Sequence, residues 1–309
     1  MMAIRFGNAP CSWGTIEGWG QGIGYSQMLD ELKATGYDGT ELGDWGYMPT
    51  DPERLRFELT SRGLTMLGAY EGVYLLEPAL HAAGEQRVLR TARLLKSVAD
   101  VGDGWQPFVV LADEHSRDRV RFENAGRVRP EMSPSAQQWK VFASGAERIA
   151  RAVHDETGLR TVFHHHCAGY VEAPWEIEAF LEHTDGTIIG LVFDTGHYLY
   201  GTGANEPSEV LEGLERFRER IWYVHYKDCH PGIAAEAREK GWNYKEAVGK
   251  GVFCELGKGQ IDFGAVTRKL TSLGYDGWIT VEQDVLPGMG EPKESARRNR
   301  EYLQAVTSF

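Results

Sequence analysis

A single (β/α)8 barrel (TIM barrel) spanning residues 1–309 is the fold class this sequence predicts, and three observations carry the prediction. Apolar extended runs alternate with longer amphipathic segments eight times along the 309 residues, the pattern of repeated βα units around a parallel sheet. Side chains able to do chemistry gather at the C-terminal ends of those runs, and the longest loops follow them, where barrel enzymes build their sites. The phrases ATGYDGTEL and SLGYDGWITVE recur at a helix-to-strand junction in both halves, with Gly36 and Gly274 placed as helix C-caps.

Taken in order, the predicted strands are Ile4 to Asn8, Gly39 to Leu42, Thr65 to Tyr70, Phe108 to Ala112, Thr161 to His166, Ile188 to Asp194, Trp222 to Lys227 and Trp278 to Glu282. Each precedes a predicted helix: Tyr25 to Ala34, Pro52 to Ser61, Gln86 to Ala99, Ser135 to Glu156, Glu176 to His183, Pro207 to Phe217, Phe263 to Leu273 and Glu294 to Val306. Leu75 to Gln86, Asp113 to Pro134 and His230 to Gly259 are left as long loops after strands, predicted lids. The third holds a helical stretch, Ile233 to Val248, and then the glycine-punctuated GKGVFCELGKGQ. No proline-rich or Gly/Ser linker divides the chain, which favours one domain.

Composition narrows the function classes. A formal net charge of -12 repels a phosphate backbone, so nucleic acid is not an expected partner. No run reaches the ~20 apolar residues that cross a bilayer, and the N-terminal stretch lacks the features of a signal peptide, so a cytoplasmic protein without membrane contact is expected. The four cysteines, Cys11, Cys167, Cys229 and Cys254, form no CxxC pair, which argues against structural zinc and a disulfide framework. A homo-oligomer is compatible with all of this.

The chemistry is concentrated on the later strands. In VFHHHCAG, alternation sends His164 and His166 to one face and His165 to the other. LVFDTGH ends an apolar run on Asp194, with His197 three residues on; a carboxylate there needs a partner or a cation. YVHYKD turns His225 and Lys227 to one side, and ITVEQD ends on Glu282. The fifth to eighth strands thus offer His164 or His166, Asp194, His225 and Glu282 to one mouth. Histidine mixed with carboxylate suits a divalent transition metal with open coordination positions. His164, which emerges first, is the preferred ligand; His166 then meets the substrate or acts as an alternative ligand, and His165 lies behind or packs outward. Glu172, beyond the loop, is a weaker candidate, a position more often exposed to solvent.

These motifs resemble the xylose-isomerase-like barrel superfamily and, within it, the inosose dehydratases. The resemblance runs through NAPCSWG, YDGTELG, FHHHCAG, FDTGH, VHYKD, GVFCELGKGQIDF and GYDGWITVEQD. It places Asp194, His225 and Glu282 on metal-ligand positions and His197 on the substrate-contacting histidine of a DxxH motif. Many superfamily members carry glutamate where His164 stands; the dehydratase branch resembles this chain in having HxH.

The resemblance implies a metal-dependent hydro-lyase that dehydrates 2-keto-myo-inositol (scyllo-inosose), or a related cyclic ketone, in inositol catabolism. Its metal would be Mn²⁺ or Co²⁺, with Mg²⁺ and Zn²⁺ as alternatives, and its partner a small polyhydroxylated ketone. Glu282 is expected as ligand and base, with His197 and Lys227 as proton donors or oxyanion stabilisers. Trp13, Glu41 and Glu71, after the first three strands, are expected with His166 to contact substrate. A keto-sugar isomerase or epimerase is the alternative, since the same proton abstraction can return the proton elsewhere. An endonuclease of the same superfamily is disfavoured by the net acidity, and a noncatalytic sugar-binding barrel remains a reading that turnover would exclude.

Overall fold

The computed structural model describes residues 4–14, 19–20, 22–114 and 117–307. Among the described residues eleven strands run in chain order as β1 Arg5–Asn8, β2 Gly39–Thr40, β3 Thr65–Met66, β4 Gly68–Val73, β5 Phe108–Asp113, β6 Thr161–His164, β7 Ile189–Asp194, β8 Ile221–Tyr226, β9 Asp228–Cys229, β10 Phe253–Cys254 and β11 Trp278–Val281. The helices are α1 Tyr25–Ala34, α2 Pro52–Thr60, α3 Pro78–Ser97, α4 Arg119–Glu123, α5 Ala136–Thr157, α6 Pro174–Glu182, α7 Thr195–Gly201, α8 Ser208–Phe217, α9 Pro231–Lys240, α10 Tyr244–Gly249, α11 Phe263–Ser272 and α12 Pro292–Thr307.

Nine strands form one parallel sheet in the order β3-β2-β1-β11-β8-β7-β6-β5-β4. Its two ends are the halves of one interrupted stave. The run predicted as a single strand, Thr65 to Tyr70, breaks at Leu67, whose N–H donates to the Thr40 carbonyl at 2.8 Å while its carbonyl accepts from Phe108 N at 2.9 Å. One residue therefore joins both neighbours and closes the barrel. Leu67 points inward with Phe108, Val110, Val162, Val192, Tyr223 and Trp278. Gly7 and Gly39 leave it room, since a Cβ on either would meet Leu67 Cδ1 at 2.3 and 2.9 Å.

Local chemistry sets the helix ends. Asp51 caps α2 by accepting from Arg54 N at 2.8 Å, Ser135 and Gln138 form a capping box on α5, and Asp262 accepts from Ala265 N at 2.9 Å on α11. Gly36 and Gly274 turn the chain out of α1 and α11 with φ of +91° and +80°, a conformation that side-chain-bearing residues resist.

The expected lids are more structured than the sequence implies. Most of Leu75 to Gln86 belongs to α3, which starts at Pro78. Proline's fixed φ suits a first helical turn, and Gly84 there is a packing residue: a Cβ would lie 2.5 Å from Val73 Cγ1. The stretch 113–134 holds α4 and a 3-10 turn, Pro130–Met132, although His115 and Ser116 lie outside the described residues. The predicted helix Ile233 to Val248 is two helices, α9 and α10, divided where Gly241 adopts φ +67° and Asn243 caps the second. β9 and β10 make an antiparallel ribbon that carries this insertion.

Candidate active site

Four adjacent staves, β6, β7, β8 and β11, carry at or next to their C-terminal ends the residues that the sequence singles out. Inward positions alternate along each of them: Val162 then His164, Val192 then Asp194, Tyr223 then His225. Asp194 stands opposite His225, and His225 opposite Thr280, with Glu282 two residues beyond. One donor atom from each of His164, Asp194, His225 and Glu282 lies within 4.8 Å of the others. His164 Nε2 is 3.9 Å from Asp194 Oδ2, and His225 Nδ1 is 3.2 Å from Glu282 Oε1.

The bonds around this cluster hold each group in place while leaving donor atoms to spare. Asp194 Oδ1 accepts from His197 N at 2.7 Å, capping α7, whereas the buried Oδ2 has no hydrogen-bond partner among the described residues. His225 donates from Nε2 to Glu41 Oε1 at 2.8 Å, and its buried Nδ1 has no hydrogen-bond partner among the described residues. A carboxylate behind a ligating imidazole fixes its tautomer and orientation. His165, on the opposite face, accepts from Asp194 N through Nε2 at 3.1 Å and so fixes the end of β7 from behind. Unsatisfied buried polar atoms are costly, and a cation among them removes the cost. This donor set fits a divalent metal.

Electrostatics points the same way. Burial, reinforced by His225, His166 and His165, holds His164 well below the usual histidine range, so it keeps a lone pair. Burial raises Asp194 to about 7 against the attraction of Lys227. Burial also opposes the charged form of His225, but Glu282 and Glu41 outweigh it and lift the group to about 9. Carboxylates thus gather more negative charge than the pocket's cations offset, a field a divalent ion would relieve.

The cavity beside the cluster is lined by Cys11, Glu41, Tyr70, His164, His166, Lys227, Tyr244, Glu282 and Asp284, among others. Lys227 lies at its wall. Its Nζ is 3.2 Å from Glu282 Oε2, 3.3 Å from Asp284 Oδ1 and 3.3 Å from His197 Nε2. Burial opposes its charge, but Asp284, Glu282 and Asp194 more than compensate and raise it well above an ordinary lysine. The His166 ring contacts that of His197, 3.9 Å between centres and tilted by 40°, and Tyr244 Oη lies 3.4 Å from His166 Nε2. Burial, with His166 and Lys227 beside it, holds His197 well below the usual histidine range.

Two expected substrate contacts, Trp13 and Glu71, lie away from the cavity, and a third, Glu41, lines it. Trp13 is fully buried, its Nε1 donating to Glu31 Oε2 at 2.9 Å, and it belongs to the hydrophobic core. Glu71 turns away from the mouth to Thr91 on α3, near Arg87 and Arg90, because strand alternation gives the inward position to Tyr70. Glu41 lines the cavity, but its Oε1 is engaged by His225 Nε2 at 2.8 Å and by Tyr223 Oη at 2.9 Å. Glu172, expected in solvent, is buried and accepts from Gly126 N at 2.6 Å and Ala168 N at 2.7 Å, tying two loops together.

Sequence reasoning missed Asp284, although VEQD places it two residues beyond Glu282 and hence on the same face. Tyr70 was equally within reach, being the neighbour of Glu71 with the opposite parity. Asp228, beside Lys227 in HYKD, turns away from it and accepts from the backbone N–H groups of Cys229, Gly257, Gly259 and Ile261. That one carboxylate organises the glycine-punctuated loop. Tyr244 carried no signal, since only the folded insertion brings it over the cavity.

A family model described as xylose isomerase-like TIM barrel matches residues 29–306. The chain belongs to this family. Among curated relatives, an inosose dehydratase from Geobacillus kaustophilus (strain HTA426) is 30% identical over 315 residues, covering 98% of this chain and 94% of its own. An inosose dehydratase from Lacticaseibacillus casei is 28% identical over 310 residues, covering 100% and 99%. Among solved structures, the apo form of 3-keto-D-glucoside 4-epimerase from E. coli has a TM-score of 0.66 at 14% identity, covering 98% of this chain and 100% of that one. That likeness is one of family fold.

Proposed function

We propose that this protein is a metal-dependent hydro-lyase that removes water from 2-keto-myo-inositol or a closely related cyclic ketone. The observation that carries the reading is the convergence of His164, Asp194, His225 and Glu282 in a chain that aligns end to end with inosose dehydratases. These four residues would hold the ion, with Mn²⁺ or Co²⁺ as the expected metals. When bound, a divalent ion supplies Lewis acidity to a ketone oxygen and so acidifies the adjacent C–H.

The chain's own residues supply the proton movements. Glu282 lies at the cavity wall with its two oxygens directed to His225 and Lys227, and it accepts the proton lost from carbon. Lys227, held as an ammonium by Glu282 and Asp284, gives a proton to the departing hydroxyl. One proton taken from carbon and one delivered to hydroxide balance as a molecule of water. Tyr70 closes one side of the cavity, its ring set edge-on to His164 with centres 6.2 Å apart.

An isomerase or epimerase would use the same abstraction and return the proton to a different carbon, so the product decides between them. Purified protein given 2-keto-myo-inositol should lose activity on chelation and regain it with Mn²⁺, forming a product lighter by one water that absorbs in the ultraviolet. A product of unchanged mass would replace the dehydratase reading with the epimerase one.

A further inference from the structure

The rings of His166 and His197 are in contact, 3.9 Å between centres and tilted by 40°, and both residues touch the backbone of one residue, Cys167. Its carbonyl lies 2.7 Å from His166 Nδ1. A carbonyl only accepts, so Nδ1 of His166 carries the proton, and in a neutral ring Nε2 is the bare nitrogen. The Cys167 N–H lies 3.3 Å from His197 Nδ1. A backbone N–H only donates, so that Nδ1 is bare and the proton of the neutral His197 ring sits on Nε2.

Two further features fit this arrangement. His166 Nε2 has Tyr244 Oη 3.4 Å away, a hydroxyl able to donate to it. His197 Nε2 has Lys227 Nζ 3.3 Å away, so an N–H and an ammonium face each other and neither can accept. An oxygen atom lying to one side of that pair, within hydrogen-bond reach of both donors, would satisfy both. The backbone responsible is itself unusual: Ala168, next to Cys167, has φ +71°, the described non-glycine residue with positive φ. Its N–H donates to Glu172 Oε2 at 2.7 Å, and that buried carboxylate is anchored again by Gly126 N at 2.6 Å. Strain of this kind persists where the surroundings hold it, and here it aims one peptide at two imidazoles.

We infer that the main chain of Cys167, held by the Ala168 turn and Glu172, sets opposite tautomers in these two adjacent histidines and so gives the cavity a fixed hydrogen-bond polarity. His166 Nε2 accepts from a hydroxyl of the substrate, the role Tyr244 occupies without it. His197 Nε2–H and Lys227 together donate to an oxygen of the same ligand. The cavity therefore selects a polyol ketone that presents a hydroxyl hydrogen to one histidine and oxygen lone pairs to the other. Glu172 is a positioning residue. Only the identity of the ligand rests on the dehydratase reading; the tautomers do not.

The test is a long-range ¹H–¹⁵N correlation spectrum of ¹⁵N-histidine-labelled protein loaded with diamagnetic Zn²⁺, with the two rings assigned through His166→Gln and His197→Gln. The expected result is Nδ1–H in His166 and Nε2–H in His197. The same tautomer in both rings, or exchange between tautomers in either, overturns the inference. A folded Glu172→Ala variant should show His166 spread over both tautomers; an unchanged pattern removes the role given to Glu172, and if that variant fails to fold the wild-type spectrum still decides. In turnover, His166→Gln should raise KM about tenfold and leave kcat within about twofold, the size of one lost hydrogen bond. An unchanged KM would remove the substrate contact. Opposite tautomers in a protein that does not dehydrate the ketone would sink the proposed function and leave the polarity standing.

Discussion

Glu41 shows how a single side chain can govern a site without being one of its candidate ligands. Its Oε1 receives both His225 Nε2 at 2.8 Å and Tyr223 Oη at 2.9 Å, so removing it frees the imidazole to rotate and to change tautomer. Loss of such a partner typically costs about 10- to 100-fold in metal affinity. Glu41→Ala is therefore expected to weaken divalent-ion binding by that factor, measured by competition with a chelating dye, and an unaltered affinity would show that His225 does not ligate through Nδ1. Glu282→Gln should lower kcat by about 100- to 10,000-fold, as expected when an acid–base group is lost. Variants that retain full turnover would move the proton-accepting role elsewhere.

At the scale of elements, the segment from Phe253 to Ile261 is held at both ends. Asp228 gathers the backbone N–H groups of Gly257, Gly259 and Ile261, and a Cβ on Gly259 would lie 2.2 Å from Asp228 Oδ1. Glu255 fastens the loop to α12, accepting from Ser295 Oγ at 2.9 Å and from Arg298 Nε at 2.9 Å. Burial alone would raise Glu255, but bonds from Arg298, Lys258 and Ser295 outweigh it and take the group to about 2. A carboxylate lowered on folding stabilises fully above its unfolded value, near 4.5, and that contribution disappears as pH falls through about 2. Glu255→Gln should thus reduce the urea midpoint clearly at about pH 7 and much less at about pH 2. A difference independent of pH would mean that packing, not charge, fastens the loop.

For the molecule as a whole, closure of the barrel turns on one interrupted stave and on the space around Leu67. Gly39→Ala would bring a Cβ 2.9 to 3.0 Å from three atoms of that side chain. Overpacking of this kind costs about 1–3 kcal/mol. The clash is with Leu67 itself, so Gly39→Ala combined with Leu67→Val should be less destabilising than the sum of the two single changes, read from denaturant midpoints. Strict additivity would mean that the sheet absorbs the methyl group by shifting.

The amino-acid sequence by itself determined which residues face the mouth on β6, β7, β8 and β11. A strand's period of two is local, and an apolar run ending on His164, Asp194 or Glu282 declares its own faces. It also marked Gly36 and Gly274 as helix ends, because a positive φ is a property of one residue. Ending the third predicted strand at Tyr70 put Glu71 in the loop beyond it, whereas β4 runs on to Val73 and turns Tyr70 inward, and Trp13 went to the core since nothing local separates a core indole from an exposed one. The tertiary structure alone decided the pairs that span the chain. Glu41 meets His225 across 184 positions and Lys227 meets Asp284 across 57, contacts that exist only once the strands assemble into the sheet and that no neighbouring residue announces.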